Sequence, residues 1–395
     1  MRLRLLRLRF YSGSSRLLSD GGKVSKVKQQ QKAGRLSIAE MRDLVNKKAG
    51  MQVAHDLQET NPTEVTEWIP TGSRWLDSII CSGKMAGIPV GKIVEIAGLE
   101  GTGKSYMAAQ IAANAQKMGI DVVYFDSESA VDPGFLSNSG CDLETLLYIQ
   151  GTTTEFVLET IEQLLASNTN KMLFIWDSLA NTPCESDVES NFNPQSSMAM
   201  KPRILSKAFS KLTIPIANSH STLLLLNQLK TNITSNVAEA LVEPYFTPGG
   251  KAPAYAYSLR IWLTGRKSKA SFLLDERGFQ VGSEVKAKIK KSRFGSLNRE
   301  CTFKILWAGD SVNIQDEESW FEAIKSSEHL EQAGAWYKLK FQDGTEEKFQ
   351  SANWMDKLKD PKFKQRVMEL MDEEIIHKFE NKTGSAESFY DIDQD

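Results

Sequence analysis

Between Trp68 and Trp307, short uninterrupted apolar runs alternate with longer stretches whose apolar positions recur at helical spacing. The runs are Ile93 to Ala97, Val122 to Phe125, Met172 to Trp176, Thr222 to Leu226, Ala256 to Leu263 and Val285 to Ile289. Strands without polar alternation are buried on both faces, so the pattern predicts an α/β fold with a mostly parallel sheet between helical layers. Upstream, Ser37-Ile38-Ala39-Glu40 has the form of a capping box, in which hydroxyl and carboxylate answer each other's free backbone amides, and a helix is expected to begin there. Ile38, Met41, Leu44 and Val45 then share one face, an apolar stripe that needs cover from its own core or from a neighbouring subunit.

After Ala308 the texture changes. Glu317 to Ser326 reads as a helix, Trp336 to Phe341 and Glu346 to Gln350 as two strands across a Gln342-Asp343-Gly344 turn, and helix again beyond them. The expected organisation is a leader over 1–36, an N-terminal oligomerisation helix and linker over 37–67, a core over 68–308, a small α/β C-terminal domain over 309–380 and an acidic tail over 381–395. The tail is polar and without periodicity. The leader, MRLRLLRLRF then YSGSSRLLS, is rich in Arg and Ser and has no acid before Asp20. An organelle transit peptide, a start codon set too far upstream and a basic arm on DNA all fit it.

At 395 residues, 41% hydrophobic and 25% charged, the chain has the composition of a folded protein of two or three domains. No apolar run approaches the roughly 18 to 20 residues of a membrane-spanning helix, the nearest being Ser221 to Leu226. Cys81, Cys141, Cys184 and Cys301 lie far apart without CxxC pairs or His clusters, which argues against zinc and against a disulfide framework. The net charge of −2 requires that any nucleic-acid contact come from local basic segments.

Gly98-Leu99-Glu100-Gly101-Thr102-Gly103-Lys104-Ser105 fits GxxxxGK[ST], and it stands between an apolar strand and an Ala-rich helical segment, Tyr106 to Met118. Backbone amides of such a loop and the following helix N-terminus hold phosphate, Lys104 reaches the terminal phosphates, and the Ser105 hydroxyl can ligate Mg2+. ATP with Mg2+ is therefore the expected cofactor. An acid at the end of another core strand must steady the metal, and Leu173-Phe174-Ile175-Trp176-Asp177-Ser178 supplies Asp177. The base or water-orienting group is expected in Tyr124-Phe125-Asp126-Ser127-Glu128, with Glu128 the candidate and Asp126 and Asp132 as alternatives that chemistry alone leaves open.

Taken in order, these motifs resemble those of the RecA family of strand-exchange recombinases. The likeness continues through YFDSESAVDP, WDSLANTP, LLLLNQL, TPGGKAPAYAYSLRIW, VGSEVKAKIKKSRF and EQAGAWY, from about Thr71 to about Lys378. EQAGAWY discriminates most, because it lies outside the general ATPase core. The divergent loops look closer to phage-type relatives such as UvsX. The resemblance implies a RecA-type ATPase core, with Glu128 as catalytic glutamate, Asp132 where adenine is contacted, and Gln228 where a Gln senses the terminal phosphate. A Gln amide can donate to a phosphate oxygen, and Gln228 opens the polar stretch Lys230 to Gly250, so ATP could order that stretch.

Two segments expected to be irregular, Thr182 to Pro202 and Leu229 to Lys251, correspond by the same resemblance to two DNA-binding loops. Met198, Arg203, Lys230, Ile233, Gly249 and Gly250 fall at or near its DNA contacts. Asn232 stands where a basic residue is usual, and Pro202 adjoins Arg203. The basic cluster Lys288-Ile289-Lys290-Lys291-Ser292-Arg293 reads by composition as a solvated face. The resemblance instead makes Lys291 and Arg293 groups that reach the neighbouring subunit's ATP, like arginine fingers. The second is Arg rather than the usual Lys, which keeps the charge and alters the geometry.

The resemblance implies a DNA-dependent ATPase that forms helical filaments on single-stranded DNA and pairs it with a homologous duplex. Single-strand-binding and mediator proteins would be its partners. DNA contact should be sequence-independent and salt-sensitive, since base pairing checks identity. The expected location is cytoplasmic, at the nucleoid, or an organelle if the leader is a transit peptide. A hexameric helicase or other motor on the same core is the alternative. A small-molecule kinase would need a lid and an acceptor pocket, and neither is visible in the sequence.

Overall fold

A computed structural model describes residues 36–59, 61, 63–189, 200–232, 244–250, 252–265, 271–295, 297–308 and 312–379. The chain divides into two units, residues 1–60 and residues 61–395. In the first, helix α1 (Ile38–Ala49) begins on the expected capping box: Glu40 N donates to Ser37 Oγ at 3.2 Å and Ser37 N to Glu40 Oε2 at 2.8 Å. Its stripe is exposed, with Ile38 78% and Leu44 60% accessible.

In the second unit the chain runs β1 (Trp68–Ile69), α2 (Arg74–Ile80), β2 (Ile88–Pro89), β3 (Ile93–Gly98), α3 (Lys104–Lys117), β4 (Asp121–Asp126), α4 (Pro133–Asn138), β5 (Leu146–Gln150), α5 (Thr154–Ser167) and β6 (Met172–Asp177). It continues through α6 (Glu185–Glu189), α7 (Met200–Asn218), β7 (Thr222–Gln228), β8 (Lys230–Thr231), β9 (Tyr245–Phe246), α8 (Ala252–Ala256), β10 (Leu259–Gly265), β11 (Phe272–Leu274), β12 (Gln280–Ser292), β13 (Glu300–Leu306) and β14 (Asn313–Gln315). Among the described residues, ten of these strands form one sheet in the order β14-β13-β12-β10-β3-β7-β6-β4-β5, with β11 against β12. From β10 to β5 every pairing is parallel, and β11 to β14 extend the sheet antiparallel.

The period of two explains why the parallel strands read as unbroken apolar runs. Tyr124 and Ile175 face the layer that holds Ala108 and Ala112 of α3, while their neighbours Phe125, Phe174 and Trp176 face Val157, Ile161, Leu205 and Phe209 of α5 and α7. On β12 only one face is covered, by Val285, Ala287 and Ile289, so the apolar run marks a fraction of a thirteen-residue strand. Ala256 to Leu263 is not one strand: α8 ends at Ala256 and β10 starts at Leu259, the backbone turning where Ser258 N donates to Ile93 O at 2.8 Å.

The stretches expected to be irregular also contain elements. Within Thr182 to Pro202 lies α6, and Pro202 falls in the first turn of α7, where a missing backbone N–H costs little because those amides have no intrahelical acceptor. Within Leu229 to Lys251, β8 and β9 pair as a short ladder, Lys230 opposite Phe246.

The C-terminal part comprises α9 (Asp316–Ile324), β15 (Leu330–Ala333), β16 (Trp336–Lys340), β17 (Glu346–Gln350), α10 (Trp354–Lys357) and α11 (Pro361–Met371). Its three strands form an antiparallel sheet, one more than the two expected, around Phe321, Tyr337, Phe349, Trp354 and Phe363. It is joined to the core by Arg74, which donates to Asp372 Oδ1 at 2.7 Å from its side chain and to Asp316 Oδ1 at 2.8 Å from its backbone. Residues 1–35 of the leader and the tail lie outside the described residues.

Candidate nucleotide and DNA site

The Gly98 to Ser105 loop joins the end of β3 to the start of α3. Gly103 caps the helix at φ 76°, a left-handed conformation open to glycine at least cost, and a Cβ there would stand 2.5 Å from Ile305 Cδ1. Thr102 Oγ1 donates to Leu99 O at 2.8 Å and closes the loop on itself. Lys104 Nζ donates to Gly98 O at 3.3 Å and Leu99 O at 3.1 Å, the loop's own carbonyls. Burial pulls its ammonium below the usual lysine range, against Asp177, Glu128 and Glu100 nearby.

Ser105 Oγ donates to Asp177 Oδ2 at 2.8 Å. Sequence reasoning missed the second donor on the same oxygen, the buried phenol of Tyr124 at 2.9 Å. Burial raises the Asp177 carboxyl, and these two hydrogen bonds oppose the rise. A hydroxyl and a carboxylate oxygen this close form a hard-oxygen pair that suits Mg2+, which takes few protein ligands and completes its shell with phosphate and water.

The three acids at or after the end of β4 differ in their surroundings. Asp126 is 1% exposed and its carboxylate accepts from Glu128 N at 2.9 Å, Val131 N at 3.0 Å and the Tyr148 hydroxyl at 2.9 Å, so it shapes the turn. Asp132 caps α4, accepting from Phe135 N at 3.0 Å. Glu128 is exposed, and Ser178 Oγ at 2.6 Å and Asn181 Nδ2 at 2.7 Å both donate to its Oε1. Glu128 alone of the three is held through side-chain donors from the turn after β6, next to Asp177.

Beside the loop is a cavity of about 460 Å3 lined by Ser105, Tyr106, Asp132, Phe135 and Trp307. A second, of about 330 Å3, shares Ser105, Tyr106 and Trp307 and reaches Gly101, Gly103 and Lys104. Together they run from a partly apolar chamber to the phosphate loop, the division that a base and a polyphosphate require.

Gln228 ends β7 directly opposite Gly98 on β3, and Leu229 N donates to Gly98 O at 3.0 Å. Gln228, the candidate sensor, is therefore held against the first residue of the phosphate loop.

Of the DNA candidates, Met198 and Ile233 lie outside the described residues. Arg203 and Lys230 are exposed. Gly250, at φ 83°, would place a Cβ 3.3 Å from Pro202 Cβ, and Gly249 one 3.4 Å from Leu205 Cδ1, so the return of the second segment packs on the first turns of α7 next to Arg203. Lys201, not singled out in the sequence, ties the start of α7 to the turn after β6 by donating to Leu179 O at 2.9 Å and Ala180 O at 3.1 Å.

Lys291 and Arg293 are held away from this chain's phosphate loop. Lys291 pairs with Arg260 on β10, and Arg260 with Glu95 on β3, three residues before Gly98 and so about 10 Å down the strand. Lys291 Nζ donates to Ala254 O at 2.7 Å and Tyr255 O at 3.2 Å, and Arg293 Nη2 to Tyr255 O at 2.8 Å.

A family model described as the RecA N-terminal domain matches residues 37–312. The chain is 30% identical over 296 residues to Protein RecA of Colwellia psychrerythraea, covering 75% of this chain and 81% of that one. It is 31% identical over 284 residues to Protein RecA of Heliobacterium modesticaldum, covering 72% and 77%, and 30% identical over 284 residues to that of Ruminococcus albus, covering 72% and 67%.

Proposed function

This chain belongs to the RecA family, and on that premise we propose that it is an ATP-dependent recombinase that polymerises on single-stranded DNA and exchanges strands with a homologous duplex. The observation that carries the reading is the pairing of Gln228 with Gly98, which puts the phosphate loop and the entrance to the second DNA segment in one ladder. The three matched relatives are RecA proteins, so the motor alternative is set aside.

In this reading the base occupies the chamber lined by Tyr106, Phe135, Trp307 and Asp132, and the phosphates lie on the loop amides from Leu99 to Ser105. Lys104 exchanges two carbonyls for phosphate oxygens. Ser105 and Asp177 would hold Mg2+, which would offset the charge of the phosphates. Glu128, oriented by Ser178 and Asn181, accepts the proton of the attacking water. Arg203, Lys230, Gly249 and Gly250 meet the DNA, together with Met198 and Ile233.

Lys291 and Arg293 complete the site of a neighbouring subunit, so hydrolysis requires polymerisation. The same reading takes residues 68–308 as the ATPase core and 309–380 as the small C-terminal domain, and places the protein with the DNA of the cytoplasm.

The test is ATP turnover with and without single-stranded DNA, on the protein and on Lys291→Ala, with filament length followed in parallel. Stimulation by DNA that collapses in Lys291→Ala while ATP binding persists supports a shared site. Turnover that ignores both DNA and Lys291 overturns it.

A further inference from the structure

Strand β3 carries one charge, Glu95, in the middle of an otherwise apolar run, and its side chain is 1% exposed. A carboxylate so placed costs several kcal/mol unless it is paired and hydrogen-bonded, and filling the site with apolar side chains is often neutral or stabilising. Both of its oxygens are paired, and the partners point to a role beyond stability.

The two carboxylate oxygens serve different residues. Oε2 accepts from Arg260 Nε at 2.6 Å, and the same guanidinium donates through Nη2 to Thr247 Oγ1 at 3.0 Å. Oε1 accepts from Asn227 Nδ2 at 2.9 Å, and Nδ2 also donates to Pro248 O at 3.2 Å. Asn227 Oδ1 in turn accepts from Gln228 N at 2.9 Å. Each oxygen of Glu95 thus reaches one of two adjacent residues, Thr247 and Pro248, just before Gly249 and Gly250. One branch passes through the residue next to Gln228.

We propose that Glu95, Asn227, Arg260 and Thr247 are positioning residues, a buried relay through which the nucleotide bound at the phosphate loop sets the place of the 244–250 stem and hence the grip on DNA. The inference rests on the reading of Gln228 as sensor of the terminal phosphate. A shift of the Gln228 backbone must carry the Asn227 amide with it or break the bond to Asn227 Oδ1, and the first course pulls on Glu95 and Pro248 together. Arg260 pins Thr247 to the same carboxylate, so the stem moves as one piece. Arg260 also pairs with Lys291 across β10 and β12, which brings the strand of the proposed fingers into the same ladder.

The experiment uses the full chain and Thr247→Val, which keeps the side-chain shape and removes the hydroxyl, with Thr247→Ser as the variant that retains it. Fluorescence anisotropy of a labelled oligothymidine measures single-strand affinity with a non-hydrolysable ATP analogue and with ADP. In the unmodified protein the affinity for DNA should be higher with the analogue than with ADP. Thr247→Val should lower that ratio about tenfold, as for loss of one hydrogen bond to a charged group. The ADP-state affinity should stay within about twofold, and Thr247→Ser should keep the original ratio. A purely structural Thr247 would lower both affinities together, and a ratio in Thr247→Val equal to that of the unmodified protein likewise overturns the relay. A ratio near one in the unmodified protein overturns the recombinase reading itself, and the relay with it.

Discussion

The phenol of Tyr124 donates to Asp177 Oδ2 at 2.9 Å from inside the core, on the oxygen that also receives Ser105 Oγ. Tyr124→Phe removes one of two hydrogen bonds that favour the ionised carboxylate, while the ring keeps its packing. The carboxyl, already raised by burial, should rise further, so the acid limb of the pH–turnover profile moves to higher pH. The Mg2+ concentration for half-maximal turnover should increase about threefold to tenfold, with a stability loss of about 1 kcal/mol. Mg2+ titrations at two pH values and urea melts check both.

Asp126 and Glu128 should separate cleanly by variant. Glu128→Gln keeps ATP and DNA binding and lowers turnover by about 10²-fold to 10⁴-fold, measured in single turnover. Asp126→Asn sets an amide against three donors and should cost about 2 kcal/mol of stability in denaturant melts.

Burial pushes the Asp77 carboxyl up to about 8, against hydrogen bonds from Thr71, and pushes Asp316 up to about 6. The folded chain therefore keeps protons that the unfolded chain releases near pH 4, and stability falls as pH rises from about 4 towards 8. Asp316 contributes over the lower part of that window and Asp77 over all of it. Urea midpoints of the protein and of Asp77→Asn should diverge in slope over this window, the variant being the flatter.

Arg203 is exposed in the first turn of α7, beside the packing of Gly250 on Pro202. If it meets a phosphate of single-stranded DNA, Arg203→Ala reduces the slope of log affinity against log salt by about 0.7, equally for oligonucleotides of different sequence. Anisotropy over a salt series reads it. An unchanged slope removes Arg203 from the contact set.

Much of the candidate nucleotide site was legible because its groups come from contiguous motifs: a loop between strand and helix places Lys104 and Ser105 whatever the rest of the fold does, and an acid ending a buried strand pointed to Asp177. The choice among Asp126, Glu128 and Asp132 stayed open because only the folded turn shows two of them already occupied by backbone amides. Tyr124, Lys201 and Glu95 went unread for a related reason. Their partners lie in other elements, Arg260 standing 165 residues from Glu95, and no local spacing encodes such a pairing. On β12 a single covered face hid most of the strand from a search for continuous apolar runs.

The resting places of Lys291 and Arg293, on the carbonyls of Ala254 and Tyr255 and away from their own phosphate loop, have a consequence for kinetics when sites are shared between neighbours. A polymer of n copies then has n−1 complete sites, and one terminal subunit keeps its nucleotide unspent. Turnover per subunit should climb with length and level off, short assemblies should be slow out of proportion to their mass, and the two ends of every filament should age at different rates.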